Sequence, residues 1–260
     1  MKLGFEKVAQ SLLDFRLCSM ALHYARTMTF CDEKETAMIV VHHLNNSRSQ
    51  RVLWLLEELG LEYDIKRYER DKTTMLAPPE LKRIHPLGKS PVVTDGDLTL
   101  AESGAIIQYL VERYGDGCFA PPREALAYLR YCYWLHYAEG SLMPPLLLKL
   151  VFDKIETTPM PFFVKPIANA ISGKAKSSFI MPQINTHLDY LEAELGKSAW
   201  FVGDELTAAD VQMSFPIEAA AARGGLGASR PRLMDYLQRI HARPAYQRAI
   251  ERGGKYELMR

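Results

Sequence analysis

Ile84-His-Pro-Leu-Gly-Lys-Ser-Pro-Val-Val-Thr-Asp-Gly-Asp-Leu-Thr-Leu-Ala-Glu-Ser-Gly-Ala-Ile-Ile-Gln-Tyr-Leu110 is the stretch that decides how this chain folds. Gly88 frees the backbone just before Lys89-Ser90-Pro91. Pro91 opens a strand over 91–94, a position where the missing N–H costs no ladder bond. Asp95-Gly96 is a strong hairpin signal, and 98–100 is the returning strand. Glu102-Ser103 then starts a helix whose apolar face is Ile106, Ile107, Leu110 and Val111. The first turn of that helix can hold an anion. Ser90-Pro91 is a candidate cis peptide.

Upstream, Met38-Ile-Val-Val-His-His43 is β-branched and mostly apolar, as a buried strand requires. The polar turn Leu44-Asn-Asn-Ser-Arg-Ser49 leads into an amphipathic helix with Val52, Leu55, Leu56 and Leu59 on one face and Gly60 as its cap. A second strand spans 63–68, and a short helix precedes Ile84. The order is β-α-β-α-β-β-α, which implies at least one parallel pair. Downstream, Gly115-Asp-Gly117 and Pro121-Pro122 mark a linker, and no strand is needed beyond it. Helices are predicted over 124–140, 183–195, from Val211, over 233–242 and over 245–252. Residues 141–182 are apolar but interrupted by prolines. The fold class is therefore α/β plus all-α. We divide the chain into an extension over 1–37, expected to be poorly ordered, an α/β domain over 38–117, a helical domain over 124–252 and a tail over 253–260.

The composition supports an ordinary globular chain, with 48% hydrophobic and 24% charged residues over 260 positions. A net charge of +1 gives no argument for a nucleic-acid partner. The C-terminal arginines, Arg223 to Arg252, read as solvated helix faces. Cys18, Cys31, Cys118 and Cys132 form neither a C-x-x-C pair nor a zinc spacing, so a reducing, cytoplasmic compartment is expected and no metal. Adjacent strand residues face opposite ways, so His42-His43 is not a metal pair. The acidic residues within 1–37 argue against a transit peptide.

Three places can carry chemistry. In the turn before the first helix, a hydroxyl or amide beside free N–H groups can stabilise an anion such as a thiolate, or simply cap the helix. Ser47 is the leading residue there, with Asn46 and Ser49 as alternatives. Lys89 can pair with a ligand carboxylate, and Glu102-Ser103 can take an ammonium and a carboxylate. In the helical part, Tyr131, Trp134, Tyr137 and Met143, with Phe152, Phe162 and Phe163, could line an apolar pocket. A membrane surface is the other use of so apolar a segment. Thr207-Ala-Ala-Asp210 is a capping box and is read as structural.

Three separated motifs together resemble the cytosolic-type glutathione transferases. They are His42-His-Leu-Asn-Asn-Ser-Arg-Ser-Gln-Arg51, the run from Gly88-Lys-Ser-Pro91 to Glu102-Ser103, and Phe201-Val-Gly-Asp-Glu-Leu-Thr-Ala-Ala-Asp210. The run Asn46-Ser-Arg-Ser49 is similar to a fungal and bacterial subgroup. The resemblance covers 38–252. It implies a thioredoxin-like domain followed by a helical bundle, glutathione as co-substrate with no other cofactor, a small hydrophobic electrophile, and a homodimer. By position, it implies that Ser47 activates the thiol and that Ser90 exposes its backbone to the cysteinyl part before a cis Pro91. Lys89 would meet the glycyl carboxylate, and Glu102 and Ser103 would hold the γ-glutamyl group. Conjugation, and reduction of organic hydroperoxides, are the activities it implies. A non-catalytic binding module on the same fold and a glutathione-dependent isomerase or dehalogenase are the alternatives.

Overall fold

The computed structural model describes residues 38–71 and 73–258, so the expected extension lies outside the described residues. The first part runs β1 (Ile39–Leu44), α1 (Ser49–Glu58), β2 (Tyr63–Tyr68), α2 (Leu81–Ile84), β3 (Val92–Asp95), β4 (Leu98–Ala101) and α3 (Ser103–Tyr114). The sheet order is β2-β1-β3-β4. β1 is parallel to β2 and antiparallel to β3, and β3 and β4 form the hairpin over Asp95-Gly96. Pro91 lies one residue outside β3, because a residue without an N–H cannot enter the ladder.

The first helix departs from the amphipathic reading. In α1 every residue from Ser49 to Leu56 is buried. One face packs on β1, and others meet α3 and two helices of the second part, α8 (Ala208–Ala219) and α10 (Pro244–Gly253). Trp54 meets Tyr246 edge-on at 5.4 Å and donates to Glu58 at 2.8 Å. Arg243 grips Glu58 at 2.5 and 2.9 Å, while Arg248 and Arg252 reach Glu57 at 2.8 and 2.9 Å. These arginines therefore tie the end of the chain to α1 and are not merely solvated.

The second part is helical. α4 (Leu126–Tyr137) continues through a π turn (Ala138–Leu142) into α5 (Met143–Thr157). α6 (Lys165–Ala175) continues through a second π turn (Lys176–Ile180) into α7 (Met181–Glu194). A third π turn (Ala220–Gly224) ends α8, and α9 (Pro231–His241) precedes α10. Of the prolines that suggested a broken segment, Pro159 and Pro161 lie in the break between α5 and α6, while Pro144-Pro145 in α5, Pro166 in α6 and Pro182 in α7 sit in first helical turns. An absent N–H is tolerated there. π turns precede Pro144-Pro145 and Pro182, and their looser ladder absorbs the missing donor.

α8 is buried along its whole length. Its start is fixed as the capping motif predicts. The Asp210 carboxylate accepts from the Phe201 and Thr207 N–H groups, each at 2.9 Å, and from the Thr207 hydroxyl at 3.0 Å. Burial nevertheless pushes the Asp210 carboxyl up to about 6, against these bonds.

Candidate active site

The site is built where β1 ends, α1 begins and β3 approaches. Residues 45–48 make the turn, with Asn46 in the left-handed region at φ 49°. The buried Ser47 hydroxyl lies 2.7 Å from the Ser49 hydroxyl and 3.4 Å from that of Ser90, and it accepts from the Ser49 N–H at 3.3 Å. Ser90 stitches β3 to β1, donating to the His42 carbonyl at 2.9 Å and accepting from the Leu44 N–H at 3.2 Å. The Ser90–Pro91 peptide is cis.

The hydroxyl chain ends on a histidine that sequence reasoning passed over. Ser49 Oγ lies 2.8 Å from His43 Nδ1. Burial, with Arg67 nearby, pushes the His43 ring down to about 4, and only a main-chain bond to Gly253 opposes this. The ring is therefore neutral at neutral pH, and its Nδ1 closes a hydrogen-bonded chain Ser47–Ser49–His43. That chain holds the Ser47 oxygen at the head of α1. Among the described residues no cluster could hold a metal.

Asn46, the alternative to Ser47, is engaged on both ends of its amide. Its Oδ1 accepts from the Glu257 N–H at 2.8 Å and its Nδ2 donates to the Glu257 carboxylate at 3.2 Å. The C-terminal tail is thus part of the site's frame. Tyr256 donates to Glu218 at 2.6 Å and Leu258 is buried.

On the other side, Ser103 opens α3 with a buried hydroxyl that accepts from Arg51 at 2.9 Å. Arg51 is buried, and its fork also meets the Gln212 carbonyl at 2.6 Å and Glu139 at 2.5 Å. Glu139, in the first π turn, takes Arg48 Nε at 3.0 and 2.9 Å. Burial alone would raise the Glu139 carboxyl, but Arg51 and Arg48 outweigh it and hold it low. The Phe215 ring lies 5.3 Å from each guanidinium. Glu102 is exposed and held at φ 68°, ψ 117°, a strained backbone for a residue with a side chain. Lys89 is exposed on the loop before Ser90.

The structure thus joins Ser47 to Ser90 directly and to Ser103 through α1 and Arg51. The apolar-pocket candidates need correction. Tyr131, Trp134, Tyr137 and Met143 are buried in the helical core. Trp134 packs on Phe201 at 4.5 Å, and Tyr137 bonds His187 at 2.5 Å. Phe162 and Phe163 stand 87% and 65% exposed in the α5–α6 loop, which no pocket wall would be. Arg51, Glu139 and His43 were missed because each reads as an ordinary helix or strand residue until distant elements meet.

This architecture is a thioredoxin-like domain followed by a helical one, with the β1–α1 turn and the residue before β3 brought together through Ser47 and Ser90. Family models agree: the glutathione S-transferase N-terminal domain matches residues 36–112 and the C-terminal domain matches 152–244. The chain is 42% identical to glutathione S-transferase 3 of Schizosaccharomyces pombe over 70% of this chain and 74% of that protein. It is 34% identical to glutathione S-transferase 1 of Saccharomyces cerevisiae over 83% and 95%. The crystal structure of a glutathione S-transferase from Actinobacillus pleuropneumoniae superposes with a TM-score of 0.72 at 38% identity, covering 86% of this chain and 96% of that one. The chain belongs to the glutathione S-transferase family. It is a glutathione transferase, with glutathione as its co-substrate.

Proposed function

We propose that Ser47 is the group that activates glutathione. Glutathione lies along the β3 edge, with the Ser90 backbone before Pro91 meeting its cysteinyl part. Lys89 takes the glycyl carboxylate, and Glu102 and Ser103 take the γ-glutamyl group. The Ser103 hydroxyl accepts from Arg51, so its own hydrogen is left for the ligand carboxylate. The observation that carries the reading is the Ser47 hydroxyl itself, buried at the head of α1 and oriented by Ser49 and His43.

The chemistry follows from hydrogen-bond strength. A cysteinyl thiol titrates near 8.5. When the thiol loses its proton to solvent, the charged sulfur is a stronger acceptor than the neutral Ser49 oxygen. Ser47 then turns its hydrogen to the sulfur. The α1 N-terminus adds its dipole. A depression of about two units costs only about 2.7 kcal/mol of differential stabilisation and leaves the thiol mostly ionised at neutral pH. The thiolate attacks a small hydrophobic electrophile or reduces an organic hydroperoxide. The engaged Asn46 amide supports Ser47 over Asn46 as the activating group, and the run Asn46-Ser-Arg-Ser49 supports a serine-type member of the Asn-Ser-Arg-Ser subgroup.

The same reading gives two domains, 38–117 and 124–252, a cytoplasmic location, and a homodimer formed through α3 and α4. The exposed stripe Leu126, Leu129 and Tyr133 on α4 supports the dimer. Steady-state conjugation of a soluble aryl halide tests the assignment. Ser47→Ala should lose at least tenfold in kcat with glutathione KM changed less than threefold, about 1.4 kcal/mol placed on the reacting sulfur. Unchanged kcat would remove Ser47 from the chemistry.

A further inference from the structure

Among the described residues, the hairpin formed by α5 and α6 has no apolar partner for its outer faces. More than half of the exposed large apolar side chains among the described residues lie between Leu147 and Phe179. α6 packs mainly on α5 and the π turn that follows it. Its residues are otherwise largely exposed, Ile167 and Ile171 each to 61%. At the tip, Phe162 and Phe163 pack edge-on against each other at 5.6 Å. Patches of this kind on a folded chain mark a binding surface.

The charges on the hairpin identify the occupant. Residues 143–180 carry five lysines and two acids, a net of +3. Both acids are taken: Asp153 by Lys149 and Lys176 at 2.6 and 2.9 Å, and Glu156 by Lys176 at 2.6 Å. Among the described residues, the charge left uncompensated is positive, on Lys154, Lys165 and Lys174. Two of these repeat one spacing. Leu147, Val151 and Lys154 stand at i, i+4 and i+7 on α5, and Ile167, Ile171 and Lys174 do so on α6. Each lysine therefore shares a face with an exposed apolar pair. Apolar residues with lysines at their edge are the pattern of a helix lying in a bilayer interface, where the ammonium reaches the headgroups. A second copy paired hairpin to hairpin about a two-fold axis fits poorly, because it would set this positive face against itself.

We propose that the α5–α6 hairpin docks peripherally on an anionic lipid bilayer, with Phe162 and Phe163 entering the interface and Lys154, Lys165 and Lys174 meeting acidic headgroups. No described helix is long and apolar enough to cross a membrane, so the contact is on the surface. The proposal is independent of the assignment of Ser47.

Cosedimentation of the full chain with phosphatidylcholine vesicles, with and without about 30% phosphatidylserine, tests it. The expected result is binding to the anionic vesicles alone, released by raised salt. The triple variant Lys154→Glu, Lys165→Glu, Lys174→Glu should lower the partition coefficient by about fivefold or more per lysine. Phe162→Ser with Phe163→Ser should abolish binding. Both variants should keep wild-type turnover of a soluble aryl halide and wild-type mass by light scattering, which shows that they fold. No binding of the wild type, equal binding to both vesicle types, or full binding by the phenylalanine variant each overturns the proposal. Absence of vesicle binding with a smaller assembly in the phenylalanine variant also overturns it and gives the face to a second copy.

Discussion

Replacing Arg51 by methionine should damage both stability and glutathione binding. Methionine fills similar volume but removes the fork that joins α1 to Ser103, to the Gln212 carbonyl and to Glu139. Glu139 keeps Arg48, so one of its two cations remains. Removing one partner of a buried ion pair costs about 3–5 kcal/mol. Two further acceptors lose their donor at about 1 kcal/mol each, part of which the methionine's apolar contact with Phe215 offsets. A net loss near 4 kcal/mol corresponds to roughly 8–16 °C in Tm for a chain of this size. Ser103 would lose the bond that orients it, and glutathione affinity should fall about tenfold. Calorimetry gives both numbers, thermal unfolding for the first and titration for the second. Arg51→Lys should fall between, since one ammonium cannot reach all three acceptors. A Tm within 2 °C of wild type, together with unchanged glutathione affinity, would refute the view that Arg51 binds the two halves of the site.

Other consequences follow from the same contacts. Ser49→Ala and His43→Phe each remove the chain that orients Ser47, and stopped-flow conjugation should show kcat reduced roughly three- to tenfold with glutathione KM nearly unchanged. Removing residues 255–260 frees the Asn46 amide and should raise glutathione KM severalfold while leaving far-ultraviolet circular dichroism intact. Chemical unfolding across pH should separate two opposing groups. Asp210, raised to about 6 from an unfolded value of 3.8, contributes stability that is full below 3.8 and lost as pH rises through about 6, and Asp210→Asn should remove that decline. His43, lowered to about 4 from 6.5, contributes stability that is full above 6.5 and lost as pH falls towards about 4, and His43→Phe should remove that loss.

Much of the frame was legible before any coordinates. The Asp95-Gly96 hairpin, the apolar face of α3 and the Thr207–Asp210 box are local signals, and each sits where its chemistry requires. Ser47 stands in the turn before α1, Ser90 just before β3 and Ser103 at the start of α3, where the local signals place them. What escaped notice depends on contacts between distant elements. α1 read as one-sided because α8 and α10, which bury much of its remaining surface, lie some 150 residues or more further along the chain. Glu139 stands in a π turn, which has no sequence signature comparable to a cap. The aromatic run over Tyr131 to Tyr137 suggested a pocket because side-chain type does not reveal which way a helix faces. The tail looked disposable until Glu257 met Asn46, 211 residues away.

The most direct test of the central claim is the pH titration of glutathione thiolate absorbance in the binary complex, for wild type, Ser47→Ala and Asn46→Ala. The account predicts a bound-thiol pKa well below 8.5 in the wild type and in Asn46→Ala, and a value raised by about 1–2 units in Ser47→Ala at saturating glutathione. A thiolate that persists unchanged in Ser47→Ala, with its pKa raised in Asn46→Ala, would contradict it.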